Sequence, residues 1–314
     1  MLENTKIATR ESYGNALKEL GGRVNDLIVL DADLAGATRT CMFRDRFPDR
    51  FLDCGIAEAN MMGVAAGLSA MGLVPFASSF AMFAAGRAYE QIRNSIGYPH
   101  LNVKIAATHG GVSVGEDGAT HQCFEDFALM RAIPGMVVLC PSDDIEAKQM
   151  VEAAYNYKGP VYMRFGRAYS PVFHTVDYKF EIGKGEILLD GTDVAVIANG
   201  LMVAEALYAA EELKKKDIHM LVINMPSIKP MDEELIVKAA KKCGRMLTAE
   251  EHSVIGGLGE AVSSVLGERY PIPMKRIGIN DTYGHSGPCN GLLAEYGLIM
   301  ENIIKETLNL MGSD

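Results

Sequence analysis

No apolar run in the sequence reaches the roughly 20 residues that a membrane-spanning helix requires, so no such span is expected. Positive charge is scarce. Lys and Arg number 30 against 40 Asp and Glu, a net charge of −10, which argues against nucleic acid and anionic membrane surfaces as partners. The cysteines Cys41, Cys54, Cys123, Cys140, Cys243 and Cys289 form neither a C-x-x-C pair nor a metal-type spacing. The phosphate-binding pattern GxxxxGK(S/T) is absent. GGLGE at 256–260 carries only part of a dinucleotide glycine loop and reads as a helix start. There is no short-period repeat and no low-complexity tract. The opening segment, MLENTKIATRESYG, is polar and unlike a secretory peptide. With the cysteine pattern, it leads to the expectation of reduced thiols and a cytoplasmic location.

What is present is a soluble globular pattern. Apolar residues make up 48% and charged residues 22% of 314 residues, enough chain for two domains. Continuous apolar runs at 27–33, 50–55, 73–79, 102–109, 136–142 and 160–165 read as strands. Helical stretches near 10–20, 57–71, 82–97, 124–132 and 143–156 separate them. Such alternation predicts a parallel sheet covered on both faces. A polar bridge follows at about 174–186. The alternation then restarts with strands at 193–199, 219–225, 245–250 and 274–279 and helices at 201–216, 231–242 and from about 257. The expectation is an α/β chain of two doubly wound domains joined near residue 180.

The polar residues of interest gather at the same strand ends, where open parallel sheets bind ligands. Asp31 and Asp33 close the first strand, Glu58 follows the second, and Phe80 and Phe83 follow the third. His109 ends the fourth, with Asp117 and His121 in the loop after it. Ser142 follows the fifth strand, and Arg164 and Arg167 the sixth. Glu58 is the only charge in GIAEANMMGVAAGLSAMG (55–72). Such a carboxylate either caps an exposed helix start or handles protons from a buried position. The loop HGGVSVGEDGATHQ (109–122) holds two histidines and an acidic pair among glycines, which reads either as a solvated surface loop or as a polar ligand channel. Phe80 and Phe83 suit core packing or a wall for a flat heterocycle. Arg164 and Arg167 suit an anion or surface ion pairs. Gly63 and Gly67 give the 57–71 helix a small face that suits close helix contact.

Taken together, the segments ATR (8–10), DADL (31–34), GIAEAN (55–60), SSFAMF (78–83), THGGVSVGEDGATHQ (108–122), PSD (141–143) and EEHSVIGGLGEAV (250–262) resemble the C-terminal half of transketolase in order and spacing. The resemblance implies a thiamine diphosphate pyrimidine-binding domain at 1–175, with a parallel sheet, and a smaller transketolase C-terminal α/β domain at 176–314. It implies that Glu58 hydrogen-bonds N1′ of the cofactor's aminopyrimidine, that Phe80 and Phe83 enclose that ring, and that Asp33 lies close to the cofactor. His109 and His121 would be catalytic. With Asp117, these histidines would line the sugar channel, and Arg10 and Arg167 would hold a substrate phosphate. The implied activity is transfer of a two-carbon ketol unit from a ketose (phosphate) to an aldose (phosphate), in carbohydrate metabolism of the pentose phosphate kind.

Three departures accompany the resemblance. A third aromatic beside the pyrimidine falls on Gly86, and a serine that assists phosphate binding falls near Ala37. The family's GDG motif, which with a downstream asparagine holds the cofactor's diphosphate and its Mg2+ or other divalent ion, is absent. The resemblance therefore implies an N-terminal partner subunit carrying GDG, in an α2β2 heterotetramer. Alternatives are the β-subunit of a 2-oxoacid dehydrogenase E1 component, a transketolase-like enzyme for an unusual sugar, a deoxyxylulose-phosphate synthase-like enzyme and a non-catalytic scaffold. His109 together with GEDGATHQ favours transketolase among them.

Overall fold

The structure, a computed structural model, describes residues 5–312. Residues 1–4 of the polar opening segment and residues 313–314 lie outside the described residues. The strands are β1 (Lys6–Ala8), β2 (Leu27–Asp31), β3 (Phe51–Asp53), β4 (Val74–Phe80), β5 (Lys104–Thr108), β6 (Val137–Leu139), β7 (Val161–Phe165) and β8 (Tyr169–Pro171). They continue with β9 (Glu186–Leu189), β10 (Val194–Ala198), β11 (Met220–Asn224), β12 (Ser227–Lys229), β13 (Met246–Ser253) and β14 (Met274–Ile279).

A seven-stranded sheet runs in the order β12–β6–β7–β5–β4–β2–β3, and a five-stranded sheet in the order β14–β13–β10–β11–β9. Both are doubly wound and parallel except at one edge. The period-2 alternation of strand side chains explains the layering. On β2, Leu27 and Val29 enter one apolar cluster with Tyr13 and Leu17, while Leu30 enters the opposite cluster with Met61, Met62 and Ala65. On β10, Val194 and Val196 face one side, and Ala195 and Ile197 the other. Each fully buried Leu or Ile contributes about 1.5–3 kcal/mol, so strands apolar on both faces belong between two helical layers.

The exceptions to the expected parallel plan are short edge strands. β12 leaves the second half of the chain and pairs antiparallel with β6, Ser227 opposite Leu139. β9 grows out of the polar 174–186 bridge and pairs antiparallel with β11. β1 and β8 form a separate three-residue antiparallel pair, Lys6 opposite Pro171. The expected single helix at 82–97 is instead a π-helical turn Met82–Arg87, a short α-turn Tyr89–Gln91 and a second π-helical turn Ile92–Gly97. Two helices, Cys289–Glu295 and Met300–Met311, follow the last strand.

Register positions the site. Asp31 on β2 lies opposite Asp53 on β3 and Ser78 on β4. Phe80 on β4 lies opposite Thr108 on β5, and Thr108 opposite Phe165 on β7. The segments leaving these carboxyl ends therefore emerge side by side.

Candidate functional site

Glu58 begins the Glu58–Ala70 helix and is only 3% exposed. Its carboxylate is not solitary. Ser79 Oγ lies 3.4 Å from Oε1, and Arg87 Nη1 lies 3.4 Å from both carboxylate oxygens. Both are long contacts. A cavity of about 410 Å3 opens here, and its lining includes Asp33, Glu58, Phe83, Arg87, Thr120 and His121. Asp33 reaches it through a left-handed turn (φ 61°), with its N–H donating to Asp53 Oδ1 at 3.1 Å. Phe83 stands edge-on to His121 with centroids 5.1 Å apart. Phe80 lies behind this wall, stacked on His109 at 3.8 Å.

His109 is 2% exposed and takes the left-handed conformation (φ 58°) directly after β5. Its Nε2 lies 3.2 Å from Arg10 Nη1, and its Nδ1 lies 2.8 Å from Thr108 Oγ1. A guanidinium only donates, so Nε2 accepts and the neutral ring carries its proton on Nδ1, donating to Thr108. Burial, then the charges of Arg10, Arg167, His121 and Arg39, push this imidazole down to about 3. Arg10 Nη1 also donates to the carbonyl of Ala37 at 3.0 Å, so the backbone of residue 37 holds this arginine. Arg10 and Arg167, far apart in sequence, meet because β1 pairs with β8 and Arg10 N–H donates to the Gly166 carbonyl at 3.3 Å. Both line a second cavity of about 580 Å3 with Lys6, Ser113 and Glu116. Arg167 donates to the Val114 carbonyl and lies 3.6 Å from Glu116 and 3.8 Å from Asp117, whose side chain is exposed. Thus Asp33, Glu58, Phe83 and His121 share one cavity, Arg10 and Arg167 share the other, His109 contacts Arg10, and Asp117 sits on the rim.

Two family models match the chain: the transketolase pyrimidine-binding domain at residues 5–171 and the transketolase C-terminal domain at residues 183–303. The chain belongs to the transketolase family. A Methanocaldococcus jannaschii protein described as a transketolase C-terminal section is 50% identical over 308 residues, 97% of this chain and 96% of that one. The 6-deoxy-6-sulfo-D-fructose transketolase subunit of a Clostridium species is 40% identical, with 94% of this chain and 92% of that one covered. A solved split-gene transketolase, described as an inactive β4 tetramer, is 51% identical and superimposes with a TM-score of 0.91, covering 98% of this chain and 99% of the other.

Within this transketolase chain, several polar residues flagged from sequence serve the frame around the cavities. Arg164 is 4% exposed, donates to the carbonyls of Cys123 and Glu251 at 2.9 and 2.8 Å, and pairs with Asp126 at 3.3 Å. Burial lowers its affinity for the proton, but Asp126 and Glu251 outweigh burial and hold it charged. Asp31 accepts from Thr38, Thr40 and the Leu34 N–H and so shapes the turn bearing Asp33. Ser142 is tied to Glu146 at 2.6 Å. GGLGE is a helix start: the buried Glu250 carboxylate accepts from the N–H groups of Leu258 and Gly259. The 109–122 loop is no solvated flap. Residues 111–115 are buried, and Gly111 packs so closely on Glu251 that an added Cβ would lie 2.2 Å from its carboxyl carbon. Sequence reasoning missed Arg87 and Thr108. Thr108 carried a signal in lying next to His109; Arg87 carried none. Among the described residues, no helix is long and apolar enough to cross a membrane.

Proposed function

We propose that this chain is the C-terminal subunit of a two-chain transketolase that moves a two-carbon ketol unit from a ketose or ketose phosphate to an aldose or aldose phosphate. The transketolase family is thiamine diphosphate dependent. The observation that carries the reading is a buried carboxylate, Glu58, opening on a cavity walled by Phe83 and His121 at the carboxyl ends of a parallel sheet. These residues fit an aminopyrimidine ring. The contacts of Glu58 at 3.4 Å leave its oxygens capacity for a closer partner, and Phe83 offers a flat apolar face.

When bound, thiamine diphosphate supplies the carbanion stabilisation that lets a ketose C–C bond break. Glu58 holds the proton at N1′. Phe80 and Phe83 would enclose the cofactor's pyrimidine ring, Phe83 at the cavity and Phe80 stacked behind it, with Asp33 close to the cofactor. His109 and His121 accept and return hydroxyl protons, Asp117 reads a sugar hydroxyl, and Arg10 with Arg167 hold an anionic end of the substrate. Neutral His109, with its proton on Nδ1, acts first as an acceptor through Nε2. A relative is named for a sulfonated sugar, and phosphate and sulfonate are both tetrahedral oxyanions that suit a guanidinium pair.

The diphosphate and its Mg2+ or other divalent ion are assigned to an N-terminal partner subunit carrying GDG. No GDG occurs in this sequence. Among the described residues, no group of three or more His, Cys, Asp or Glu side chains is arranged for a metal. The related inactive β4 tetramer supports a divided enzyme, and the assembly assigned here is α2β2. The exposed Gly63 and Gly67, with open space around them, offer one face for a helix contact across a twofold axis. The domain division is placed at 175/176 and the enzyme in the cytoplasm, in pentose phosphate-type carbohydrate metabolism. The test is to titrate thiamine diphosphate and Mg2+ into the chain alone and into the chain mixed with an N-terminal transketolase subunit. Tight binding and ketol transfer are expected only of the mixture; tight binding by the lone chain contradicts the split site.

A further inference from the structure

Arg87 meets the two demands that the proposed ring would meet. Its guanidinium lies over the face of Phe83, 4.2 Å from the ring centroid, and its Nη1 lies 3.4 Å from both oxygens of Glu58. A guanidinium is flat, cationic and a hydrogen-bond donor at its edge. It therefore stacks on the aromatic wall and gives the buried carboxylate a cationic partner, at long range, at once. Without it, Glu58 would be a 3% exposed carboxylate with only the Ser79 hydroxyl for a partner, a costly arrangement.

We infer that Arg87 is a built-in occupant of the aminopyrimidine seat, which the cofactor must displace on loading. The inference rests on the assignment of the Glu58 cavity to that ring. The Arg87 side chain is half exposed, so solvent reaches it from the side away from Glu58. It also has a place to go. Phe83, Arg87 and Thr120 line both the Glu58 cavity and a neighbouring cavity of about 670 Å3, whose lining includes two further carboxylates, Glu125 and Asp281. The same side chain therefore borders carboxylates on both sides, Glu58 in one cavity and Glu125 and Asp281 in the other. The chain without cofactor thus keeps Glu58 paired, and loading exchanges one planar partner of Glu58 for another.

The test uses the complex reconstituted with an N-terminal transketolase subunit and follows thiamine diphosphate binding by calorimetry. Arg87→Met removes the competitor, and the dissociation constant should fall about fivefold, the size expected for one half-exposed ion pair plus one cation–π contact. Arg87→Lys keeps the charge and loses the flat stacking face, so its affinity should fall between the two. Unchanged or weaker binding by Arg87→Met, with wild-type binding intact, overturns the role of Arg87 alone. Absence of thiamine diphosphate binding by the wild-type complex overturns the assignment of the cavity as well.

Discussion

His109 is held neutral first because the site is buried and then because the groups around it are cations. Its folded value lies below the unfolded one, so the ring opposes folding as pH falls from about 6.5 towards 3, and stability should rise with pH across that window. Imidazole NMR should show His109 neutral, with the proton on Nδ1, throughout pH 5–8. Replacing Arg10 by Met removes the nearest cation, and the titration should then move upwards; a titration near the unperturbed value in the unmodified chain contradicts this electrostatic picture. Glu58 is a case of partial legibility. Its isolation among apolar residues was visible, but that left an exposed helix start and a buried position both open; the fold buries it. Its pairing was not, because the cation comes from a π-helical turn 29 residues further on. Arg164 and Arg167 look equivalent in MRFGR, yet alternation along β7 buries Arg164 in a carboxylate-lined interior while Arg167 leaves the strand end for the cavity.

Elements that are apolar along their whole length were legible. β2, β4, β5, β10 and β11 lie between helical layers, and burial on both faces writes itself as a continuous run. Elements held mainly by pairing were not legible. β12 is three residues between Pro226 and Pro230, and β9 follows a polar stretch; each acquires its conformation from the strand it meets. The 109–122 loop lies between these cases. Its glycines and histidines marked it as special, but its burial depends on Glu251 from the other half of the chain, whose Oε1 accepts from Ser113 N–H at 2.6 Å. Gly111 has φ 85° and no room for a Cβ. Gly111→Ala should therefore cost about 1–3 kcal/mol. Urea unfolding checks this, and a stability equal to the parent's would show that the loop yields freely.

At the scale of the whole molecule, the 174–186 segment is a structured tie. His174 is buried, with Nδ1 3.0 Å from Asp143 and Nε2 2.8 Å from Glu186, while Tyr178 donates to Glu146 at 2.6 Å and Asn224 reaches the same carboxylate at 2.8 Å. Burial pushes His174 down, but Asp143, Glu186 and Glu146 outweigh it and raise the imidazole to about 9. A raised histidine stabilises fully below its unfolded value near 6.5, and that contribution is lost as pH rises through about 9. It is on the order of 3 kcal/mol. Denaturation midpoints should fall between pH 6.5 and 9.5, and His174→Gln should flatten that fall; an equal pH dependence in the variant contradicts the tie. Together with β12, which carries the second half of the chain onto the first sheet, this network ties the two halves of the chain. In the proposed function, Glu58 is the catalytic carboxyl presented to a cofactor that another subunit completes. Ketol transfer by Glu58→Ala, assayed in the reconstituted complex beside the unmodified chain, tests it most directly. Activity is expected to be abolished while the two subunits still assemble. Near-parental activity in the variant would contradict it.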